Sequence, residues 1–302
     1  MMCHTPVKYR KYLGKTLLMI LILLWLSAFI AFQQCPLFRK RSSVMVIAHR
    51  GDWQNAPENS LLAIKNCIKM GVDMVEFDLA MSKDSVLVLM HDHTLERTTN
   101  GTGEIKHRTY DSLRALSLKD KNGHLTDQKI PSFQEAMEVC RDKILVFVDK
   151  GLDYVPQAYE ILKKTKTLKQ AFFMGGLDQS GLKAKIGIFK NKILYMPLVL
   201  NNKSTNDLLK SFENDHRAKI YLFSFTKDDE EYFKYAAALK SRGLIAMATT
   251  QVDYYCGGHT DSVSLQNPHL GWGFLLQKGF NAICTDHPQE LLDYLRREGL
   301  HP

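Results

Sequence analysis

Residues 72–92, VDMVEFDLAMSKDSVLVLMHD, decide the fold, and residues 44–51, VMVIAHRG, extend the same pattern toward the N-terminus. Both stretches begin with apolar runs that include β-branched residues, which predict buried strands. The longer run carries Glu76 and Asp78, and the shorter run ends at His49. Because strand residues two apart point to the same face, the two carboxylates lie on one side of the strand. Folding alone does not explain so much charge on buried strands.

The two apolar runs inside 72–92 predict an antiparallel hairpin. Only residues 82–85 separate them, whereas a parallel crossover requires about a dozen residues or more. A turn centred on the middle of this link makes facing positions sum to 167, which places Glu76 opposite His91. We therefore expect these two side chains to be neighbours across one ladder.

Strand-like runs alternate with helical patterns over about 260 residues, which is typical of a parallel α/β fold. The predicted strands, without the hairpin partner Val86–Met90, are Val44–Ala48, Val72–Leu79, Ile144–Asp149, Ala171–Met174, Ile193–Leu198, Lys219–Phe225, Leu244–Thr249 and Ala282–Thr285. Eight repeats predict an α/β protein of the (β/α)8 TIM-barrel class, with a small insertion at about 92–143 after the His-Asp motif. A doubly wound open sheet is the alternative, but no glycine-rich phosphate loop follows the first strand.

A basic and apolar segment, residues 1–43, precedes the predicted barrel domain, residues 44–302. Residues 17–32, LLMILILLWLSAFIAF, are apolar apart from Ser27, and four lysines and arginines precede them. As a helix this run spans roughly 24 Å, which is short of the ~30 Å hydrocarbon core. The pattern is typical of a signal anchor or a signal peptide, and the lack of an A-x-A cleavage motif favours the uncleaved anchor. We therefore expect a hydrophobic helix followed by a linker, and a membrane-anchored or exported protein whose barrel domain lies outside the cytoplasm.

The composition is that of a globular protein. Of the 302 residues, 45 % are hydrophobic and 24 % are charged, which allows a substantial core. The net charge of +8 comes largely from basic residues around the N-terminal segment. A nucleic-acid-binding protein would carry a basic face with interleaved aromatic residues, and the sequence does not indicate one. Six cysteines without a CxxC spacing also argue against a zinc knuckle.

Charged residues gather where the predicted barrel strands end, at the edge that holds the active site in such barrels. Glu76 and Asp78 lie on the second strand, and Asp149 and Lys150 end a later one. Two or three carboxylates without thiolates suit a hard divalent cation, Mg²⁺ or Ca²⁺. Arg50 and Lys150 suit a phosphate, through a planar guanidinium fork and a point charge respectively.

Two histidines complete this pattern. His49 follows the first strand and His91 follows the hairpin, and a pair of imidazoles suits general acid–base catalysis. Together with the carboxylates and the cationic side chains, they predict metal-assisted cleavage of a phosphodiester. Taken singly, each group also has a structural interpretation, such as a strand-end hydrogen bond for His49 or a helix cap for Thr285 and Asp286.

These residues belong to short motifs that stand in a distinctive order. The motifs are His49-Arg50-Gly51, Pro57-Glu58-Asn59, Glu76-Phe77-Asp78 and His91-Asp92, then the polar loop 98–103, Ile130-Pro131-Ser132-Phe133, Asp149-Lys150 and Thr285-Asp286-His287-Pro288. The ordered set resembles the glycerophosphodiester phosphodiesterase family, over about residues 44 to 297. The resemblance implies a TIM barrel with a small insertion after the His-Asp motif.

The resemblance also implies an activity and a site. The family hydrolyses glycerophosphodiesters to sn-glycerol 3-phosphate and an alcohol, so the expected partner is a small-molecule substrate. The matching positions are His49 and His91 for the acid–base pair, Glu76, Asp78 and Asp149 for a divalent cation, and Arg50 and Lys150 for the phosphate.

One position departs from the family pattern. Asp149 stands where the family usually carries Glu, and we expect the shorter side chain to alter the position or the choice of metal. Two alternatives keep the fold: a lysophospholipase D acting on lysophospholipids, which the membrane anchor suits, and a non-catalytic phosphodiester-binding barrel, which the altered ligand suits. Farther along the chain, Asp261 and Trp272 are interpreted either as structural residues or as contacts to the alcohol.

Overall fold

The computed structural model describes residues 43–302, and the predicted apolar segment 17–32 lies outside the described residues. Within 43–302, no helix combines the length and the apolar character that crossing a membrane requires. The strands are β1 (Met45–Ala48), β2 (Met74–Met81), β3 (Leu87–Leu89), β4 (Leu145–Asp149), β5 (Ala171–Gly175), β6 (Leu194–Leu200), β7 (Ile220–Ser224), β8 (Ile245–Thr249) and β9 (Ala282–Thr285).

Eight parallel strands close into a barrel. Around the ring they follow the order β1, β2, β4, β5, β6, β7, β8 and β9, and β1 pairs with both β2 and β9. The remaining strand, β3, pairs antiparallel with β2 outside the ring. The predicted (β/α)8 TIM barrel is therefore confirmed, and the open sheet is excluded.

Helices surround the barrel. They are α1 (Leu61–Met70), α2 (Tyr110–Arg114), α3 (Phe133–Cys140), α4 (Val155–Thr165), α5 (Gln179–Ile186), α6 (Thr205–Ser211), α7 (Glu230–Ser241), α8 (Asp253–Cys256), α9 (Asp261–Gln266), α10 (Trp272–Gln277) and α11 (Pro288–Arg297). The Ser60 side chain caps α1, and Gly71, with a φ of 85°, ends it in the left-handed conformation. Gly51 allows α1 to approach β1 closely, because a Cβ there would lie 2.8 Å from Ala63 Cβ.

Side chains on the strands alternate between the helical layer and the barrel interior. On β2, Phe77 is fully buried under the helices, where its ring meets Phe133 of α3 edge-on with 6.0 Å between centroids. The flanking residues Glu76 and Asp78 therefore point into the barrel. The alternation predicted from the sequence places both carboxylates at the site.

The β2–β3 hairpin forms as predicted, but its register differs by one residue. Leu79 faces Leu89, so facing positions sum to 168 rather than 167. The predicted placement of Glu76 directly opposite His91 in the ladder was therefore wrong. In addition, β3 ends at Leu89, so His91 lies beyond the paired residues.

The shifted register comes from the conformation of the turn. Ser82 N–H donates to the Val86 carbonyl at 3.0 Å, which leaves a three-residue loop instead of an even-numbered one. Ser85 closes this loop in the left-handed conformation, with a φ of 65°. Three-residue hairpin loops commonly place a left-handed residue at this position. Serine has no strong preference for the left-handed conformation, so the sequence did not predict the three-residue loop.

Residues from β3 and from the segment that follows it, up to Ile130, form a small hydrophobic cluster of their own. The segment contains a 3₁₀ turn, Ile105–His107, and the short helix α2. Next comes α3, which packs against both α1 and α4 in the outer layer of the barrel. The buried residues of the separate cluster are Val88, Met90, Leu95, Ile105, Leu113, Leu118 and Ile130.

Candidate active site

Three carboxylates meet at the C-terminal ends of β2 and β4. Asp149 ends β4 directly beside Asp78 of β2 in the parallel register. One oxygen from each of Glu76, Asp78 and Asp149 lies within 4.8 Å of the other two. Only 2 % of the surface of Glu76 and 1 % of that of Asp78 is exposed. This oxygen-only set fits a hard divalent cation.

Burial and mutual repulsion disfavour the charged forms of these acids. Burial, followed by the charges of Asp78 and Asp149, raises the pKa of Glu76 well above its ordinary value. Burial and the charge of Asp78 likewise raise the pKa of Asp149. A cation held by these oxygens would offset this repulsion and favour the ionised acids. The residues present therefore fit a metal site that includes Asp149.

Residues in the left-handed backbone conformation hold the carboxylates in place. Arg50, Asn59 and Lys150 have φ values of 54°, 59° and 55°. The Arg50 N–H donates to Glu76 Oε2 at 2.7 Å. The Asn59 side chain donates to Asp78 Oδ2 at 3.1 Å and accepts the Asp78 N–H at 3.2 Å. Such strained conformations are concentrated at functional sites, where the surrounding structure maintains them.

Lys150 connects the acidic cluster to His91. Its N–H donates to Asp149 Oδ1 at 2.7 Å. Its Nζ donates to the His91 carbonyl at 2.6 Å and lies 3.1 Å from Asp78 Oδ1. The ammonium group therefore offsets part of the negative charge and also fixes the backbone that carries His91.

His49 is oriented by an aspartate that follows β9. His49 Nδ1 lies 2.7 Å from Asp286 Oδ1, which also accepts the Trp53 indole N–H at 2.8 Å. Burial opposes ionisation of Asp286, but its hydrogen bonds with His49 and Trp53 hold its pKa below the ordinary value. Because this contact engages Nδ1, proton exchange with a bound molecule falls to Nε2.

Asp261 holds the backbone of Asp286 in place. Its Oδ2 accepts the Asp286 N–H at 2.8 Å. Its Oδ1 accepts hydrogen bonds from Thr250, Thr285 and the Trp272 indole at 2.6, 2.7 and 3.0 Å. Asp261 and Trp272 are buried. Of the two interpretations of these residues, the contacts support the structural one.

His91 is oriented by its own neighbour in the chain. His91 Nδ1 lies 2.7 Å from Asp92 Oδ1. The Arg97 guanidinium donates to Oδ2 and Oδ1 of the same carboxylate at 2.7 and 2.9 Å. Arg97 also donates to both oxygens of Glu58, at 2.6 and 2.8 Å. Glu58 in turn accepts from Arg50 at 3.2 Å. The hydrogen bonds from Arg97 hold the pKa of Asp92 far below its ordinary value.

The predicted site residues come together in the structure. Those that line one cavity of about 490 Å³ are His49, Arg50, Glu76, His91 and Asp149. Asp78 completes the carboxylate cluster behind this surface, and Lys150 contacts it. A second cavity of about 610 Å³ also touches His49 and Arg50 and extends under the loop 119–123.

Sequence reasoning missed the residues that orient the histidines. Arg97 stands in a polar loop whose composition does not distinguish it from a surface arginine. Asp286 was noted as a strand-end residue, but its partner is 237 positions away. Asn59 was part of a motif without an assigned role. Only the motif order marks Glu58 and Asn59 in the sequence, and nothing marks Arg97.

The comparisons with known proteins agree with this geometry. The model of the glycerophosphoryl diester phosphodiesterase family matches residues 49–172, which include all seven predicted site residues. Glycerophosphodiester phosphodiesterase from Caldanaerobacter subterraneus subsp. tengcongensis is 36 % identical over 133 residues, 43 % of this chain and 54 % of that relative. Over residues 49–172 the chain is therefore similar to the glycerophosphoryl diester phosphodiesterase family.

Another relative extends the comparison. Human glycerophosphodiester phosphodiesterase 1 is 38 % identical over 131 residues, 42 % of this chain and 39 % of the human protein. The matched stretches thus span about half or less of these relatives. A domain of unknown function matches residues 195–295, the part of the barrel that lies beyond the family match.

Two solved structures have the same fold. A glycerophosphoryl diester phosphodiesterase from Parabacteroides distasonis aligns with a TM-score of 0.71 and 24 % identity, over 86 % of this chain and 87 % of that one. An Oleispira antarctica phosphodiesterase, solved with the product sn-glycerol-3-phosphate, aligns with a TM-score of 0.65 and 22 % identity, over 83 % and 96 %. At these identities the likeness supports the barrel fold.

Proposed function

We propose that this protein hydrolyses glycerophosphodiesters to sn-glycerol 3-phosphate and an alcohol, with Mg²⁺ or Ca²⁺ as cofactor. The observation that carries the proposal is the cavity that holds His49, His91 and the acidic cluster together. Each histidine is bonded to an aspartate through Nδ1. Two imidazoles that are oriented through Nδ1 and present Nε2 to the substrate suit the two proton transfers of a phosphodiester cleavage.

The chain's own residues divide the chemistry among them. One histidine takes a proton from the attacking oxygen, of water or of a substrate hydroxyl, and the other donates a proton to the departing alkoxide, each through Nε2. Arg50 and Lys150 bind the phosphate and balance its charge. Glu76, Asp78 and Asp149 would hold the cation, which supplies Lewis-acid stabilisation of the charged phosphoryl group.

Turnover of glycerophosphocholine, followed by release of sn-glycerol 3-phosphate, tests this proposal. We expect activity with added Mg²⁺ or Ca²⁺ and loss of activity with a chelator. His49→Ala and His91→Ala should each lower kcat by about 10²- to 10⁴-fold, because each removes a proton-transfer group. His107→Ala is the matched control, since His107 is exposed on the 3₁₀ turn of the insertion.

Two outcomes would contradict the proposal. Full activity of both alanine variants would remove the histidines from the mechanism. Calorimetric binding of glycerophosphocholine without any product would support the non-catalytic, phosphodiester-binding alternative. The position of Asp149 is tested in the same assay: Asp149→Asn should weaken metal activation, and Asp149→Glu should retain it with a changed Mg²⁺-to-Ca²⁺ preference.

We also propose that the protein is membrane-anchored or exported, on the basis of residues 17–32. Fractionation of expressing cells tests this. The full chain should remain with membranes after alkaline extraction, and a chain that begins at residue 43 should not. Recovery of the full chain in the soluble cytoplasmic fraction would contradict the proposal.

A further inference from the structure

We propose that the cavity contains a subsite for an apolar alcohol, formed by the strands opposite His49. The lining residues of this subsite, called the apolar wall below, are Met174, Leu198, Leu200, Leu222, Tyr254 and Tyr255. The inference rests on the proposed phosphodiesterase function and names the class of substrate: glycerophosphodiesters whose alcohol is an alkyl or aryl group.

The barrel places the apolar wall across the cavity from the catalytic groups. In the closed ring, β6 is four strands from β1 in either direction, so Leu198 and Leu200 stand opposite His49. Leu198 and Leu200 share one face of β6, and Leu198 is in register with Leu222 of β7. A phosphodiester bound at His49 and Arg50 therefore has one substituent directed toward this wall.

The wall exposes apolar surface that folding alone would bury. Leu200 is 44 % exposed, and Tyr254 and Tyr255 of α8 are 58 % and 41 % exposed. The two tyrosine rings meet at 4.3 Å between centroids and form an aromatic rim. Apolar patches of this kind, beside a polar site in a concave surface, mark ligand-binding surfaces.

The charges of the lining residues favour an apolar group over a polar one. From β5, β6 and β7, the cavity receives Met174, Leu198, Leu200, Leu222 and Ser224, none of which is charged. A polyol or a carboxylate held there would lose hydration without gaining enough partners. An alkyl or aryl group would gain from leaving water, in proportion to the area that it buries.

A homologous series of sn-glycerol 3-phosphate alkyl esters tests the subsite. We expect kcat/KM to rise roughly 10- to 100-fold from the methyl to the hexyl ester, because the added methylenes leave water against the wall. Leu200→Asn and Tyr254→Asn should each flatten this dependence. Both side chains are well exposed, so the variants should fold. Ile188→Asn is the matched control, because Ile188 is 72 % exposed and lies on a 3₁₀ turn that does not line the cavity.

Non-hydrolysable phosphonate analogues of the same esters, measured by calorimetry, separate the subsite from the catalytic function. Tighter binding with longer chains, lost in the Leu200→Asn variant, would support the subsite even if no ester were hydrolysed. Hydrolysis of all esters at equal kcat/KM would overturn the subsite and leave the phosphodiesterase function intact.

A further experiment places the alkyl chain of the substrate on the glycerol side of the phosphate. Glycerophosphomethanol with a hexanoyl group on its glycerol has the same number of carbons in its chain as the hexyl ester. If chain length raises kcat/KM only in that compound, as a lysophospholipase D would require, the assignment of the wall to the alcohol is wrong. If chain length matters only in the alkyl esters, the assignment is correct.

Discussion

The two histidines of the site are oriented by unlike arrangements. Asp286 contacts His49 across 237 positions of the chain, whereas Asp92 follows His91 directly. The side chain of Asp286 is 20 % exposed and that of Asp92 is 27 % exposed. Arg97, which fixes Asp92, is 47 % exposed.

The chemistry of the supporting bonds differs as well. Asp286 is held by the Trp53 indole and, through its backbone, by the buried Asp261. Asp92 is held by ion pairs with Arg97, which water and salt screen. Partly buried hydrogen bonds are screened less by water than exposed ion pairs, so each one contributes more to holding its partner in place. The His49 arrangement should therefore tolerate substitution less than the His91 arrangement.

The largest expected effect is on Asp286. In Asp286→Asn, the amide cannot balance a protonated His49, and kcat should fall by about 10²- to 10³-fold with little change in KM. Steady-state kinetics with glycerophosphocholine provides the measurement. Asp293→Asn, at a half-exposed position on α11, serves as the control. An equal or larger loss of kcat in Asp92→Asn would remove the distinction between the two arrangements.

The next effect concerns the stability of the support beneath His49. Asp261→Ala removes the acceptor for four buried or partly buried donors, and we expect the free energy of unfolding to fall by about 2–4 kcal/mol. Denaturant unfolding monitored by circular dichroism measures this change. Asp92→Ala should cost less than about 1 kcal/mol, because its ion pairs are exposed. Similar costs for the two variants would contradict the comparison.

A smaller effect is expected at Arg97. Arg97→Gln should lower kcat about tenfold by loosening Asp92 and therefore His91. Arg97 holds the pKa of Asp92 down, so its removal raises that pKa, and more Asp92 is protonated at a given acidic pH. The acid limb of the kcat–pH profile should consequently move to higher pH.

The matched control for this variant is Arg217→Gln. Arg217 pairs with Asp215 at 2.7 Å and lines neither cavity. An unchanged acid limb in Arg97→Gln, or an equal shift in Arg217→Gln, would show that Arg97 does not act through Asp92.

The sequence was sufficient to predict the features that periodicity and local order determine. Eight strand patterns predicted the barrel, and the alternation of Glu76 and Asp78 predicted that both acids face inward. These two inferences depend only on residue spacing within an element and on where active sites lie in such barrels. The pairing of His49 with His91 as acid and base was implied by the family resemblance and not by residue spacing.

The rest depends on backbone conformation and on distant pairing. The left-handed conformation of Ser85 shifts the hairpin register by one residue from the predicted one, and serine has no strong preference for that conformation. The partner of Asp286 became visible only once β1 and β9 were paired. The strand-end residues Leu198 and Leu200 resemble ordinary core residues in sequence. Their exposure to the cavity is a property of the closed ring.

The pairing of β1 with β9 also determines when the site can be completed during synthesis on the ribosome. Glu76, Asp78, Asp149 and the His91 arrangement come from the first half of the chain and are synthesised early. His49 remains without its orienting carboxylate until residues 282–286 emerge and close the ring. Long-range closure of this kind is a late event in folding, because it must first overcome the loop entropy. In a nascent chain the three carboxylates would therefore be synthesised long before His49 could be oriented by Asp286.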